Sequence, residues 1–172
     1  PYRQLESPYN AEAFRRLGYE VTNSPHLFEG EGDAIYSHQG NLLWLGHGFR
    51  SDLKIIPTLK SFDPSSRIIP LRLVNPLWYH LDTCFLPLLN NHLLICEEAF
   101  DKKSLKSIRK EFPPQNILAV SKEDSMSFAC NSVLLVSGAI VTHKMSRPLK
   151  KQLREWGYRV IEHDMSQFLL SG

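Results

Sequence analysis

One order of apolar and polar segments occurs three times in these 172 residues, about fifty positions apart, and nothing else restricts the fold as much. The last copy is the clearest. Two short apolar runs, 132–136 and 139–142, flank Ser137-Gly138, which reads as a hairpin turn. A helix is predicted over 147–156. Ser146 is a good N-cap, Pro148 sits in the first turn, and Gly157 follows the last residue. Leu149, Leu153 and Trp156 share one face of it. Residues 158–161 then read as a strand.

The middle copy pairs 84–88 with 93–96 around Asn90-Asn91, continues as a helix over 101–112 stopped by Pro113-Pro114, and closes with a strand at 117–120. The first copy pairs 34–37 with 42–45 around His38-Gln39-Gly40-Asn41. Its helix is expected from Ser51 or Asp52 to near Phe62, and Pro57 inside it predicts a kink or a late start. A strand follows over 67–73. Ahead of these lies what reads as the tail of a fourth copy: Asn10 capping a short helix with Phe14 and Leu17, Gly18 stopping it, and a strand at 19–22. Residues 164–172 read as a connector into a further copy. Repetition at a fixed period implies a ring or array in which each unit packs on its neighbours. The expectation is one incomplete domain over 1–172, with repeats beginning near 33, 82 and 131.

Charge and cysteine content narrow the function classes. A formal net charge of +2 supplies no field for nucleic acid or an anionic membrane. The densest basic cluster, Lys102, Lys103, Lys106, Arg109 and Lys110, has the spacing of the wet side of a helix. No apolar run approaches a membrane span. The chain opens Pro1-Tyr2-Arg3-Gln4, without a signal peptide or an initiator Met. Cys84, Cys96 and Cys130 show no CxxC spacing, which argues against a disulfide framework or a zinc site and points to a reducing cytoplasm.

A polar residue stands just ahead of each hairpin. Asp33, Asp82 and Asn131 fall at equal intervals of 49 residues. In a ring, equivalent positions point to one axis, so two carboxylates and an amide would converge; Asp and Asn also start turns ahead of strands for purely local reasons. The segment Phe28-Glu29-Gly30-Glu31-Gly32-Asp33 packs three acids between glycines. Acids so close repel unless they meet a cation or share protons. A guanidinium suits them, because carboxylates grip that planar fork through parallel hydrogen bonds. A metal suits them less, since His26 and His38 have no ligand-like partner spacing. His80 and Asp82 lie two apart, on one face of an extended chain, as a general acid/base and a binding carboxylate would. A hydrogen-bonded histidine at a strand start reads the same way. His47, His92, His143 and His163 show no constellation.

On the stretches Phe28-Glu29-Gly30-Glu31-Gly32-Asp33-Ala34, Gly46-His47-Gly48-Phe49-Arg50-Ser51, Tyr79-His80-Leu81-Asp82-Thr83-Cys84-Phe85 and Phe128-Ala129-Cys130-Asn131, the chain resembles the guanidine-modifying superfamily. Its members have the pentein fold, a five-bladed α/β propeller, and include dimethylarginine dimethylaminohydrolase, arginine dihydrolase and the amidinotransferases. The resemblance implies an α/β propeller of ββαβ repeats, here about three and a half blades. It implies His80 as general acid/base, supported by Glu29, with Asp82, Asp33, Glu31 and Asn131 on the substrate. It implies a hydrolase acting on arginine or a substituted arginine through a covalent cysteine intermediate. An amidinotransferase and a non-catalytic pentein module remain alternatives. The family's nucleophilic cysteine lies near its C-terminus; none of Cys84, Cys96 and Cys130 matches it, and the period places it near position 180. The partner implied is a small guanidino molecule, with no metal or organic cofactor, and a homo-oligomer is compatible with the reading.

Overall fold

The computed structural model describes residues 6–37 and 41–169; the turn read at His38-Gln39-Gly40 and the final residues 170–172 lie outside them. Helix α1 (Ser7–Arg16) comes first. A sheet follows, with β1 (Ala34–Tyr36), β2 (Leu42–His47), α2 (Ile56–Phe62) and β3 (Arg67–Arg72) in chain order. The second unit holds β4 (Phe85–Pro87), β5 (Leu93–Ile95), α3 (Lys102–Glu111) and β6 (Ile117–Ala119). After α4 (Lys122–Met126) comes the third, with β7 (Val133–Leu134), β8 (Ala139–Thr142), α5 (Arg147–Glu155) and β9 (Arg159–Glu162), and then α6 (Ser166–Leu169). In every sheet the first two strands are antiparallel and the second and third are parallel. A parallel step cannot be closed by a tight turn, so each needs a crossover, and α2, α3 and α5 supply them.

Local chemistry sets the element ends. Asn90 and Asn91 both take positive φ, 54° and 57°, in the tight turn between β4 and β5. The Asp101 carboxylate accepts the Ser104 N–H at 2.7 Å and starts α3. Pro57 gives a late start: α2 begins at Ile56, after a single 3-10 turn whose leading Asp52 accepts the Lys54 N–H at 3.0 Å. In that first turn the N–H that proline lacks has no intrahelical partner to lose.

Three expectations need correction. Residues 19–22 form no strand, since no described strand offers their backbone a ladder. Asn10 lies inside α1, which starts earlier with Pro8 in its first turn. The run at 132–136 keeps only Val133–Leu134 as strand, because Ser132 donates its hydroxyl back to the Ala129 carbonyl and residues 135–136 enter the turn in which the Gly138 N–H bonds the Leu135 carbonyl. Helix α4 was not anticipated, although Ser121 caps it by accepting the Asp124 N–H at 3.1 Å.

Strand β5 joins two cores. Leu93 and Ile95 enter the cluster around Trp44, Phe85 and Phe112; Leu94 enters the cluster around Ile140, Leu153 and Tyr158. Side chains of a strand alternate between faces, so a continuous apolar run signals burial on both. Each fully buried side chain of this kind contributes roughly 1.5–3 kcal/mol, whereas an exposed pair such as Arg67–Glu111 contributes about 1 kcal/mol or less. Core packing therefore holds the units in series. The Tyr158 hydroxyl donates to the Leu89 carbonyl at 2.6 Å, and the His92 ring stacks on Trp156 at 4.1 Å, making that histidine part of the joint between second and third units.

Candidate active site

Each sheet is entered through a short turn. Single 3-10 turns at Gly30–Gly32 and Leu81–Thr83 deliver Asp33 and His80–Asp82, and a turn with Phe128 at φ 62° delivers Asn131. The first two turns are bonded to each other. Asp33 is 1% exposed; its Oδ1 accepts the Leu81 N–H at 3.0 Å and its Oδ2 accepts the Ser51 hydroxyl at 2.7 Å. Ser51 Oγ in turn accepts the Glu29 N–H at 3.1 Å. The Gly46 N–H donates to the Asp33 carbonyl at 2.7 Å. A Cβ on Gly46 would stand 2.8 Å from Leu81 Cβ and 2.9 Å from Asp33 Oδ1, so the contact between the turns requires a glycine there.

His80 Nδ1 lies 3.6 Å from Asp33 Oδ2, an ion-pair contact slightly longer than a hydrogen bond. The imidazole pKa is raised above its ordinary value of 6.5. The Asp33 carboxylate as a partner for the ring is the main cause; partial burial opposes it, and the charges of Asp33, Asp82 and Glu29 reinforce it. Asp82 is pushed up to about 6, first by burial, with Asp33 and Glu31 adding to the rise and with His80 and the Asn131 side chain opposing it. Among the described residues, His80 Nδ1 and Asp82 Oδ1 are buried without a hydrogen-bond partner. Burying a polar atom without a partner is costly. Nδ1 already faces Asp33, so it is the oxygen of Asp82, which lines a cavity, that marks where a ligand would bind.

The residues singled out in the sequence occupy three places. Glu31, Asp82 and Asn131 line one cavity of about 640 Å³, walled by apolar side chains such as Phe85 and Leu86. Asp33 and His80 do not line it; they face each other at 3.6 Å. Glu29, read from the sequence as the acid beside His80, has its carboxylate 3.5 Å from the Arg50 guanidinium. Arg50 also sits over the Tyr79 ring at 5.2 Å, and Tyr79 packs on His80 with ring centroids 4.8 Å apart. In the sequence Arg50 stands out only within a matching stretch, and Ser51 only there and as a possible helix start. Their signal was a cation and a hydroxyl directly after a strand whose end contains Gly46.

The three cysteines are buried. Desolvation raises the pKa of each, that of Cys84 and Cys130 far above the usual thiol range, which is the reverse of what a nucleophile needs. Among the described residues no cluster of three His, Cys, Asp or Glu is arranged to hold a metal ion, and no helix is long and apolar enough to cross a membrane. The site can hold a planar cation against the half-buried Asp82 carboxylate, with the His80 imidazole near the same glycine, Gly32, to move a proton.

No protein-family model matches the sequence. The chain is 39% identical over 172 residues to the bifunctional arginine dihydrolase/ornithine cyclodeaminase ArgZ of Synechocystis sp., a match covering 99% of the chain and 24% of that protein. It is 27% identical over 173 residues to the N(G),N(G)-dimethylarginine dimethylaminohydrolase of Mycobacterium tuberculosis, covering all of the chain and 55% of that enzyme. The crystal structure of the N-terminal domain of ArgZ bound to substrate superposes with a TM-score of 0.89 at 39% identity, over 96% of the chain and 61% of that domain. The chain thus spans about a quarter of the ArgZ protein's length.

Proposed function

The chain belongs to the guanidine-modifying superfamily with the pentein fold, and from that premise we propose that the full-length protein is an amidine hydrolase acting on arginine or a substituted arginine. The observation that carries the reading is Asp82. Its carboxyl is half-buried, its Oδ1 is buried with no hydrogen-bond partner, and it lines a cavity while standing two positions along the chain from His80. A non-catalytic module has no use for so costly an arrangement, and a guanidinium supplies the missing donors.

In this reading Asp82 grips the guanidinium, while Glu31 and Asn131 add polar contacts on the cavity wall. A cysteine thiolate attacks the guanidinium carbon. The C–N bond to the departing amine breaks as His80 gives that nitrogen a proton, leaving a covalent S-amidino intermediate. His80, now neutral, takes a proton from water as the water attacks, and the C–S bond breaks. Asp33 orients His80 and stabilises its protonated form. Glu29 holds Arg50 at the Tyr79 side of the site, where the guanidinium can take the substrate's carboxylate. With Cys84, Cys96 and Cys130 buried, the nucleophile is to be sought elsewhere in the full-length protein. We take 1–172 as one domain of about three and a half propeller blades acting in the cytoplasm; the sheets beginning at Ala34, Phe85 and Val133 support the repeats read at 33, 82 and 131.

The test is ammonia release from arginine by the full-length protein, with loss of turnover in His80→Ala. Undiminished turnover in that variant removes His80 from the mechanism. Formation of a new guanidino product on adding glycine or ornithine would instead favour amidino transfer.

A further inference from the structure

The turn carrying His80 and Asp82 is held from two sides. On one side is Asp33, through Leu81. On the other is α4, which contributes nothing to the cavity lining. Trp78, 1% exposed, donates its indole N–H to Ser125 Oγ at 2.6 Å; Ser125 is itself 3% exposed. The Ser125 hydroxyl faces the Thr83 carbonyl at 3.4 Å. Thr83 closes the turn by donating its own hydroxyl to the His80 carbonyl at 2.7 Å. One buried hydroxyl thus touches the chain just before His80 and just after Asp82.

The same short helix also fixes the third turn. The Asp124 carbonyl accepts the Ala129 N–H at 3.0 Å, at the start of the bend that leads to Asn131. The Asp124 carboxylate accepts both the N–H and the hydroxyl of Ser146 at 2.6 Å, tying α4 to the start of α5. A serine serving only to fill space here would bury a hydroxyl at a cost that alanine avoids. Ser125 instead directs its hydroxyl to both flanks of another unit's turn.

We propose that Ser125 is a positioning residue: through Trp78 and Thr83 it sets the His80–Asp82 turn against the Asn131 turn, and so fixes the spacing of the groups across the cavity. The inference rests on the proposed activity for its kinetic consequence and on geometry alone for its structural one. Misplacement of a reacting group by 1 Å costs as much as about 100-fold in rate, so in the full-length protein Ser125→Ala should lower kcat by about tenfold or more.

A loss of kcat alone would also follow from general destabilisation. The second readout is therefore the titration of the His80 imidazole by NMR, assigned by its disappearance in His80→Gln. Ser125→Ala should move that titration toward the ordinary histidine value, as the ring loosens from Asp33. A folded Ser125→Ala protein with wild-type kcat and a wild-type His80 titration overturns the inference. If the wild type releases no ammonia from arginine, the activity proposal fails, and the titration alone decides the positioning role. If Ser125→Ala does not fold, Trp78→Phe removes the indole donor while leaving the hydroxyl. An unchanged His80 titration there also overturns the inference.

Discussion

Asp33 Oδ2 stands 3.6 Å from His80 Nδ1, and the same carboxylate accepts a bond from the backbone of Leu81, the next residue along. One side chain from the first unit thus sets both the position and the proton affinity of a histidine in the second. The raised His80 pKa favours the folded state at low pH. That contribution is complete below the unfolded value near 6.5 and is lost as pH rises through the folded value. Asp33→Asn should therefore destabilise the protein more at pH 5 than at pH 9, on top of a loss of about 1–3 kcal/mol from the disturbed buried hydrogen bonds. Denaturant unfolding at the two pH values reads both parts, and an equal loss at each would show that Asp33 does not bias His80.

Asp82 works in the opposite direction. Its carboxyl is pushed up to about 6 from an ordinary 3.8, so the folded protein holds this proton more tightly than the unfolded chain does. The ionised form costs stability: the cost is absent below about pH 4 and complete above about pH 6. Asp82→Asn should accordingly stabilise the fold at pH 7.5 by roughly 1–3 kcal/mol while removing guanidinium binding. In the wild type, affinity for arginine should fall by about tenfold per pH unit below 6. Thermal unfolding and calorimetric titration at pH 5, 6 and 7.5 check these outcomes; a less stable Asp82→Asn protein would contradict the cost assigned to burial.

The repeat was legible because its signals are local. Ser146 as a cap, the Asn90-Asn91 turn and the stop at Pro113-Pro114 each involve residues close in sequence. The interval from Asp33 through Asp82 to Asn131 followed from the same periodicity, and Asp82 and Asn131 line one cavity. Which acid stands against His80 was not legible. Glu29, Glu31 and Asp33 are near-equivalent in a glycine-rich stretch, and the choice is made by contacts with distant residues: Ser51 and Leu81 hold Asp33, and Arg50 pairs with Glu29. Residues 19–22 failed as a strand for a similar reason, since strand-like composition forms a ladder only where a partner exists.

Gly46 gives a steric test of the contact between turns. A methyl group there would meet Leu81 Cβ at 2.8 Å and Asp33 Oδ1 at 2.9 Å, and neither is the free end of a flexible side chain. Gly46→Ala should cost about 1–3 kcal/mol, as overpacking in a buried site does. It should also lower kcat, because the atoms displaced are those that hold the His80 turn. Chemical denaturation with parallel kinetics on the full-length protein checks both, and full activity with normal stability would mean that the turns separate without consequence.

Arg50 allows binding to be separated from stability. Its guanidinium is 3.5 Å from Glu29 and lies over Tyr79, with both charged partners more than two-fifths exposed. A pair that exposed contributes about 0–1 kcal/mol, so Arg50→Ala should leave the unfolding free energy almost unchanged. If Arg50 takes the substrate's carboxylate beside a guanidinium-binding Asp82, the same change should raise KM for arginine by about tenfold to a hundredfold, the loss of one charge-assisted hydrogen-bonded pair. It should do far less to agmatine, which carries the guanidinium without the carboxylate. Steady-state kinetics with the two substrates decide it. An equal rise in KM for both would place Arg50 at the guanidinium end of the site, and an unchanged KM for arginine would remove it from substrate binding.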